Sequence, residues 1–158
     1  MTVTCRSAAG MSGWSLCTQL HTFEVRVSDG PYQLATYSAN NSRNLTTNST
    51  YANMPKVLVG SITDYWMSPD GRFLAVGGTS GLQIFHFNGA NPITKYTGLL
   101  VSKEVDQVFW DNAHHLYAIS RAAGKLYVFT VTSTGVTQAP GSPHAIALPE
   151  YLIVLPKT

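Results

Sequence analysis

The strongest constraint on this chain is that it repeats itself. Phe73-Leu74-Ala75-Val76 aligns with Leu116-Tyr117-Ala118-Ile119 at an offset of 43 residues, which also brings Trp66 onto Phe109 and Ser68 onto Asp111. Further along, Leu82-Gln83-Ile84-Phe85 aligns with Leu126-Tyr127-Val128-Phe129 at an offset of 44. The extra residue falls where Gly77-Gly78-Thr79-Ser80-Gly81 faces the longer Ser120-Arg121-Ala122-Ala123-Gly124-Lys125, a turn, which absorbs an insertion that a strand would not. Leu20-His21-Thr22-Phe23-Glu24-Val25 reads as a third copy of the second motif, and a Gly-bearing turn follows each copy: Asp29-Gly30, Asn88-Gly89 and Thr134-Gly135. Self-similarity at a spacing of this size marks a stack of like units, each too small to bury its own apolar surface.

The units read as strand, turn, strand, turn, strand, turn, strand, with no helix anywhere. In the best-formed one, strand A is about 64 to 67, B 73 to 76, C 82 to 87 and D 93 to 96, and the next unit repeats this from 107 to about 139. Ser68-Pro69-Asp70-Gly71 between A and B is a reversal with a mechanism: Pro69 presets φ, Asp70 bonds nearby backbone and Gly71 accepts positive φ. Strand B is almost continuously apolar, the pattern of a strand covered on both faces. The expected fold class is therefore all-β, a β-propeller of four-stranded antiparallel blades with about three blades present as a partial ring. An immunoglobulin-like sandwich is the rival, but it demands no self-similar period.

The expected layout is one partial domain over residues 1–158: strands B, C and D of a blade in 2–38, a polar loop in 39–55, a blade in 60–98, a blade in 105–140 and a closing strand in 150–155. Tyr151 to Pro156 reads as a strand A with no partner strands after it. Three blades are fewer than the four to eight that close a propeller. The ring is thus expected to be completed by missing blades of a larger protein or by self-association.

Composition narrows the partners. Hydrophobic residues are 44% and charged residues 11% of the chain, and the net charge of +2 is scattered with no basic stripe to follow a phosphate backbone, so nucleic acid is not an expected partner. No apolar run reaches the roughly 20 residues of a membrane span. Met1 to Arg6 lacks a basic segment leading into an apolar core, so no export signal is read and localisation stays open. Cys5 and Cys17 have no metal or redox spacing and read as thiols or as one strand-joining disulfide. Asn40, Asn44 and Asn48 each begin an N-x-S/T triplet, through glycan acceptance or through the Asn/Thr-rich composition of the loop. His114 and His115 fall in an A-to-B turn, as turn residues or metal ligands. No metal site is expected, and HExxH, GxSxG and P-loop patterns do not occur in the sequence.

Ser68-Pro69-Asp70-Gly71-Arg72-Phe73-Leu74-Ala75-Val76, a Gly-rich turn and then Leu82-Gln83-Ile84-Phe85 together resemble repeats of the bacterial lactonase-family seven-bladed propellers, which include 6-phosphogluconolactonases. Gly135-Val136-Thr137-Gln138-Ala139-Pro140-Gly141-Ser142-Pro143 resembles that family's blade ending. The resemblance covers residues 60–158 well and 15–38 loosely. It implies hydrolysis of a sugar lactone ester, with no organic cofactor, on a ring face built from D-to-A and B-to-C connections. Those connections carry Asp64, Lys103, Glu104, Asp106, Arg121, His144 and Glu150. In the catalytic reading, His144 or Glu104 activates water and Arg121 stabilises the oxyanion, while Asp64, Lys103, Asp106 and Glu150 bind substrate. The residues quoted for the resemblance are turn and core residues that perform no chemistry. A non-catalytic platform for protein or glycan, or an inactive truncated product, is the alternative.

Overall fold

The computed structural model describes residues 20–25, 32–39 and 45–155. The expectations for Cys5, Cys17, Asn40, Asn44 and Asp29-Gly30 lie outside these residues. Among the described residues there is no helix, hence none long and apolar enough to cross a membrane. Three antiparallel sheets carry the fold. The first is ordered β1 (Leu20–Val25), β2 (Gln33–Ala39), β3 (Leu45–Thr46). The second is the four-stranded meander β4 (Ile62–Met67), β5 (Phe73–Gly78), β6 (Gly81–His86), β7 (Thr94–Lys95). The third runs β8 (Gln107–Trp110), β9 (His115–Ser120), β10 (Lys125–Val131), β11 (Val136–Gln138), with β12 (His144–Ala145) also paired to β10. The chain is all-β, with no closed barrel, as expected of a partial propeller.

The continuous apolar character of strand B has the expected cause. Every residue of β5 is buried. Its side chains alternate between two cores: Phe73 and Ala75 pack with Leu82, Ile84, Val108, Trp110 and Leu116 toward the third sheet, while Leu74 and Val76 pack with Phe85, Ile93, Leu34 and Val59 toward the first. At about 1.5–3 kcal/mol for each fully buried large apolar side chain, these two inter-sheet cores are the main source of cohesion. A single meander offers no such enclosure.

The A-to-B reversal forms as its residues dictate. Gly71 has φ of 71° and donates its N–H to Ser68 O at 2.9 Å. The Ser68 hydroxyl donates to Asp70 Oδ1 at 2.6 Å and accepts the Phe73 N–H at 2.9 Å. In the next repeat Asp111 plays the same part, accepting the N–H groups of Ala113 and His115, each at 2.8 Å.

These equivalent bonds correct the alignment. Phe73 corresponds to His115, an offset of 42 along strand B, whereas Trp66 corresponds to Phe109 at 43 and Leu82 to Leu126 at 44. The A-to-B turn of the third sheet is one residue shorter, and its B-to-C hairpin two residues longer, than in the second. A slip of one residue moves every side chain to the opposite face. The register that faces Leu116 and Ala118 toward the second sheet therefore pairs them with Leu74 and Val76, not with Phe73 and Ala75.

The first sheet also departs from expectation. Leu34-Ala35-Thr36-Tyr37 of β2, not Leu20–Val25, stands where Leu82–Phe85 and Leu126–Phe129 stand in the other sheets. In each repeat the third residue of that string donates its backbone N–H to a hydroxyl downstream: Thr36 to Ser49 at 3.0 Å, Ile84 to Thr97 at 2.9 Å, Val128 to Ser142 at 2.9 Å. The hydroxyl fills a gap, because each outer strand is laid down in two pieces. These are β7 and the Val101 bridge on β6, β11 and β12 on β10, and β3 and the Lys56 bridge on β2. The segment expected as a polar loop thus supplies the outer edge of the first sheet, and β1 holds the position of a strand B.

Candidate functional site

The expected site residues gather at the end of the sheets where the D-to-A and B-to-C connections meet, but their side chains do different work. Asp64 sits in β4, where Oδ1 accepts the Tyr65 N–H and Oδ2 accepts the Val108 N–H of β8, both at 2.9 Å. Burial pushes its carboxyl above the ordinary value, and the two N–H donors offset only part of that. Asp106 donates its own N–H to Ile119 O at 2.9 Å, and its Oδ2 accepts the Arg121 N–H at 2.6 Å, tying the start of β8 to the longer B-to-C hairpin. Both carboxylates clamp backbone.

Lys103 and Glu104 stand exposed on the connection into β8, and Arg121 is exposed on its hairpin. His144 lies in β12 opposite Leu126, and Glu150 precedes the final described segment; both are exposed. Among the described residues no ion pair or side-chain hydrogen bond joins Glu104, Arg121 and His144 to one another, so the structure does not assemble them into a set. Val105, next to Glu104, is the fixed point here: its carbonyl accepts the Thr63 hydroxyl and its side chain fills the space above Gly77, where a Cβ would meet Val105 Cγ1 at 2.8 Å.

Clustered ionisable groups occur instead on the opposite, A-to-B side. Asp111 Oδ2 lies 2.7 Å from His115 Nδ1 and accepts the Tyr117 hydroxyl at 3.2 Å. Burial works against its charge, but the His115 backbone and ring, the Ala113 N–H and the charge of His115 outweigh it and hold the Asp111 carboxyl below its ordinary value. Burial and the neighbouring Asp111 carboxylate push the Tyr117 phenol up. His114, at φ of 64°, reaches Asp70 of the preceding turn at 3.9 Å. The two histidines thus brace A-to-B turns. Among the described residues no group of three or more His, Cys, Asp and Glu is placed to hold a metal ion.

Three polar residues stitch neighbouring units and were not singled out from sequence. Gln83, fully buried, donates to Thr97 O at 3.1 Å and accepts the Leu58 N–H at 2.9 Å. Trp110 Nε1 donates to Trp66 O at 3.0 Å. Gln107, in the place of Asp64, accepts the Leu152 N–H through Oε1 at 2.7 Å. For the two glutamines the legible signal was a lone amide inside an apolar strand; the partners lie 14 and 25 residues away for Gln83 and about a whole repeat away for Trp110 and Gln107.

The Gln107 bond places Tyr151–Leu155 beside β8 as β8 lies beside β4. Among the described residues the segment makes no ladder with a neighbouring strand, and its side chains alternate: Leu152 and Val154 are half-buried, while Tyr151, Ile153 and Leu155 are 80%, 77% and 81% exposed. No protein-family model matches the chain, and a search of curated proteins finds no match.

Proposed function

We propose that this chain is a repeat-built, non-catalytic binding platform that acts through an apolar surface at one end of its sheet stack. The observation that carries the reading is the pair of roles just described. Two carboxylates on the expected site face, Asp64 and Asp106, accept backbone N–H groups, whereas three of the four most exposed large apolar side chains among the described residues, Tyr151, Ile153 and Leu155, line up along one segment, with Leu148 just before it. Contiguous exposed apolar surface marks interaction sites. The reading predicts no turnover of sugar or homoserine lactones by the purified chain.

Lactone hydrolysis is the second reading, supported by the Ser68–Val76 and Gly135–Pro143 strings and by the placement of Glu104 and Arg121 on connections at one end of the sheets. A single assay separates the two. Turnover above the uncatalysed rate that is lost in Glu104→Gln or His144→Asn, with the melting curve unchanged, would establish the hydrolase and overturn the platform.

A further inference from the structure

An asparagine amide lies one methylene from the backbone, within reach of the main-chain nitrogen of the next residue. That nitrogen closes a five-membered ring on the amide carbon where it is free of hydrogen bonds and its own residue carries no Cβ to obstruct it. Asn48, Asn53, Asn91 and Asn112 are closed to this chemistry. Ser49 donates its N–H to Thr47 Oγ1 at 2.9 Å, Met54 to Thr50 O at 3.0 Å and Ala113 to Asp111 Oδ1 at 2.8 Å, while Asn91 is followed by Pro92, which has no N–H. The acidic counterpart Asp70-Gly71 is closed as well, with the Gly71 N–H on Ser68 O and Asp70 Oδ1 accepting the Ser68 hydroxyl and the Arg72 N–H. Asn88-Gly89 is open. Asn88 is exposed between β6 and β7, and its C=O accepts the Asn91 N–H at 3.2 Å, closing a turn with Gly89 second at φ of 63°. The second residue of such a turn keeps its N–H out of the closing bond, and that of Gly89 meets no acceptor among the described residues. Nothing lies within 4 Å of the position that a Gly89 Cβ would take.

We propose that Asn88-Gly89 is a site of spontaneous covalent modification, at which the folded chain converts its own asparagine to aspartate and isoaspartate. Gly89 N gives its proton to solvent base and bonds to Asn88 Cγ; the Cγ–Nδ2 bond breaks, and the nitrogen leaves as ammonia with a proton taken from water. Water then adds to one carbonyl of the resulting succinimide. Opening on one side gives aspartate; opening on the other routes the main chain through Cγ and gives isoaspartate. Water is the only co-reactant. The departing group is one that the fold uses: Nδ2 donates to Pro92 O at 2.8 Å and to Thr94 Oγ1 at 3.2 Å, fastening the turn on both sides of Ile93, which is fully buried in the core with Leu34 and Phe85. The acid that replaces it is negatively charged and has no hydrogen to offer Pro92 O, so the turn loosens where the two-residue β7 begins.

The test is peptide mapping by mass spectrometry on the full chain, sampled during incubation at mildly alkaline pH well below its melting temperature. Asn88 is expected to convert ahead of Asn48, Asn53, Asn91 and Asn112, with both aspartate and isoaspartate among the products and ammonia released in step. Hydrogen exchange at Thr94 and Lys95 should be faster in the converted fraction. Gly89→Ala, which crowds the attacking nitrogen, is expected to slow conversion by about tenfold or more, with a melting curve taken alongside to show that the variant is folded. Asn88→Gln, one methylene too long for the five-membered ring, should keep its amide. Asn88 that stays intact in the folded chain over a time in which the urea-unfolded chain converts overturns the proposal. So does conversion without isoaspartate, which is direct hydrolysis, and so does a folded Gly89→Ala chain that converts as fast as the parent. Unchanged exchange at Thr94 and Lys95 after conversion refutes the loosening of the turn.

Discussion

Asp64 offers the sharpest way to tell a clamp from a site residue. Its Oδ2 satisfies the N–H of Val108, a residue that is 1% exposed, and its carboxyl is pushed up by burial, so charge at this position works against folding while the acceptor works for it. Asp64→Ala removes the acceptor and leaves a buried donor unpaired, at a cost of about 1–3 kcal/mol. For a chain of this length that lowers the melting temperature by about 2–4 °C per kcal/mol. Asp64→Asn keeps an oxygen for Val108 and removes the buried charge, so stability should stay within about 1 kcal/mol of the parent. Thermal and urea melts of the parent and both variants at neutral pH decide the matter. Equal damage from Asn and Ala would mean that the charge, not the acceptor, is needed, and would refute the clamp. No damage from either would mean that water replaces the carboxylate freely, which refutes it as well.

Two further outcomes follow from the same geometry. Gly81, at φ of 153°, has no room for a side chain, because a Cβ would lie 2.0 Å from Val101 O; Gly81→Ala should lose about 3 kcal/mol or more and break the hairpin end of β6, read as loss of amide protection at Leu82. The pH dependence divides by position: the depressed carboxyls of Asp70 and Asp111 bind fewer protons folded than unfolded, so their contribution is present above the ordinary value of 3.8 and is lost as pH falls through the folded value. Asp64 runs the other way, its contribution fading as pH rises from 3.8 through its raised folded value. Acid titrations of urea stability should therefore show a shallower acid loss for Asp111→Asn and a steeper one for Asp64→Asn, and matching slopes would contradict the assignment.

The sequence made the strands of the second and third sheets legible because their turns carry strong chemistry, as at Ser68–Gly71, and their strands are apolar. The same apolarity hid the register. Phe73–Val76 and Leu116–Ile119 are apolar at every position, so nothing in the pattern says which side chains face which core, and the match at 43 looked better than the true 42. Half-polar strings suffered the opposite problem. Leu34-Ala35-Thr36-Tyr37 passed unnoticed because Ala and Thr replace the Gln-Ile and Tyr-Val of its counterparts, and the Ser and Thr hydroxyls that complete the outer edges look like ordinary loop polarity. At the candidate site, charge and loop position singled out Asp64, Asp106 and Arg121, and in the structure Asp64 and Asp106 accept backbone N–H groups, the second that of Arg121. That the carboxylates there would point at backbone N–H groups, Asp64 at one in the adjoining unit and Asp106 at one in its own hairpin, depends on distances between residues 44 and 15 apart in sequence, which no local pattern encodes.

Among the described residues, two inner junctions each include one acceptor side chain reaching one backbone N–H of the next unit, first Asp64 to Val108 and then Gln107 to Leu152. Either an acid or an amide will serve. Growth of such a chain by duplication therefore has a low threshold: a copied unit of about 43 residues arrives with its own acceptor and its own N–H, and needs no change in the unit before it to be joined. The acceptor thus sets how one unit's innermost strand lies against the next without fixing the length of the turns between them, which differ by one residue and by two between the second and third sheets.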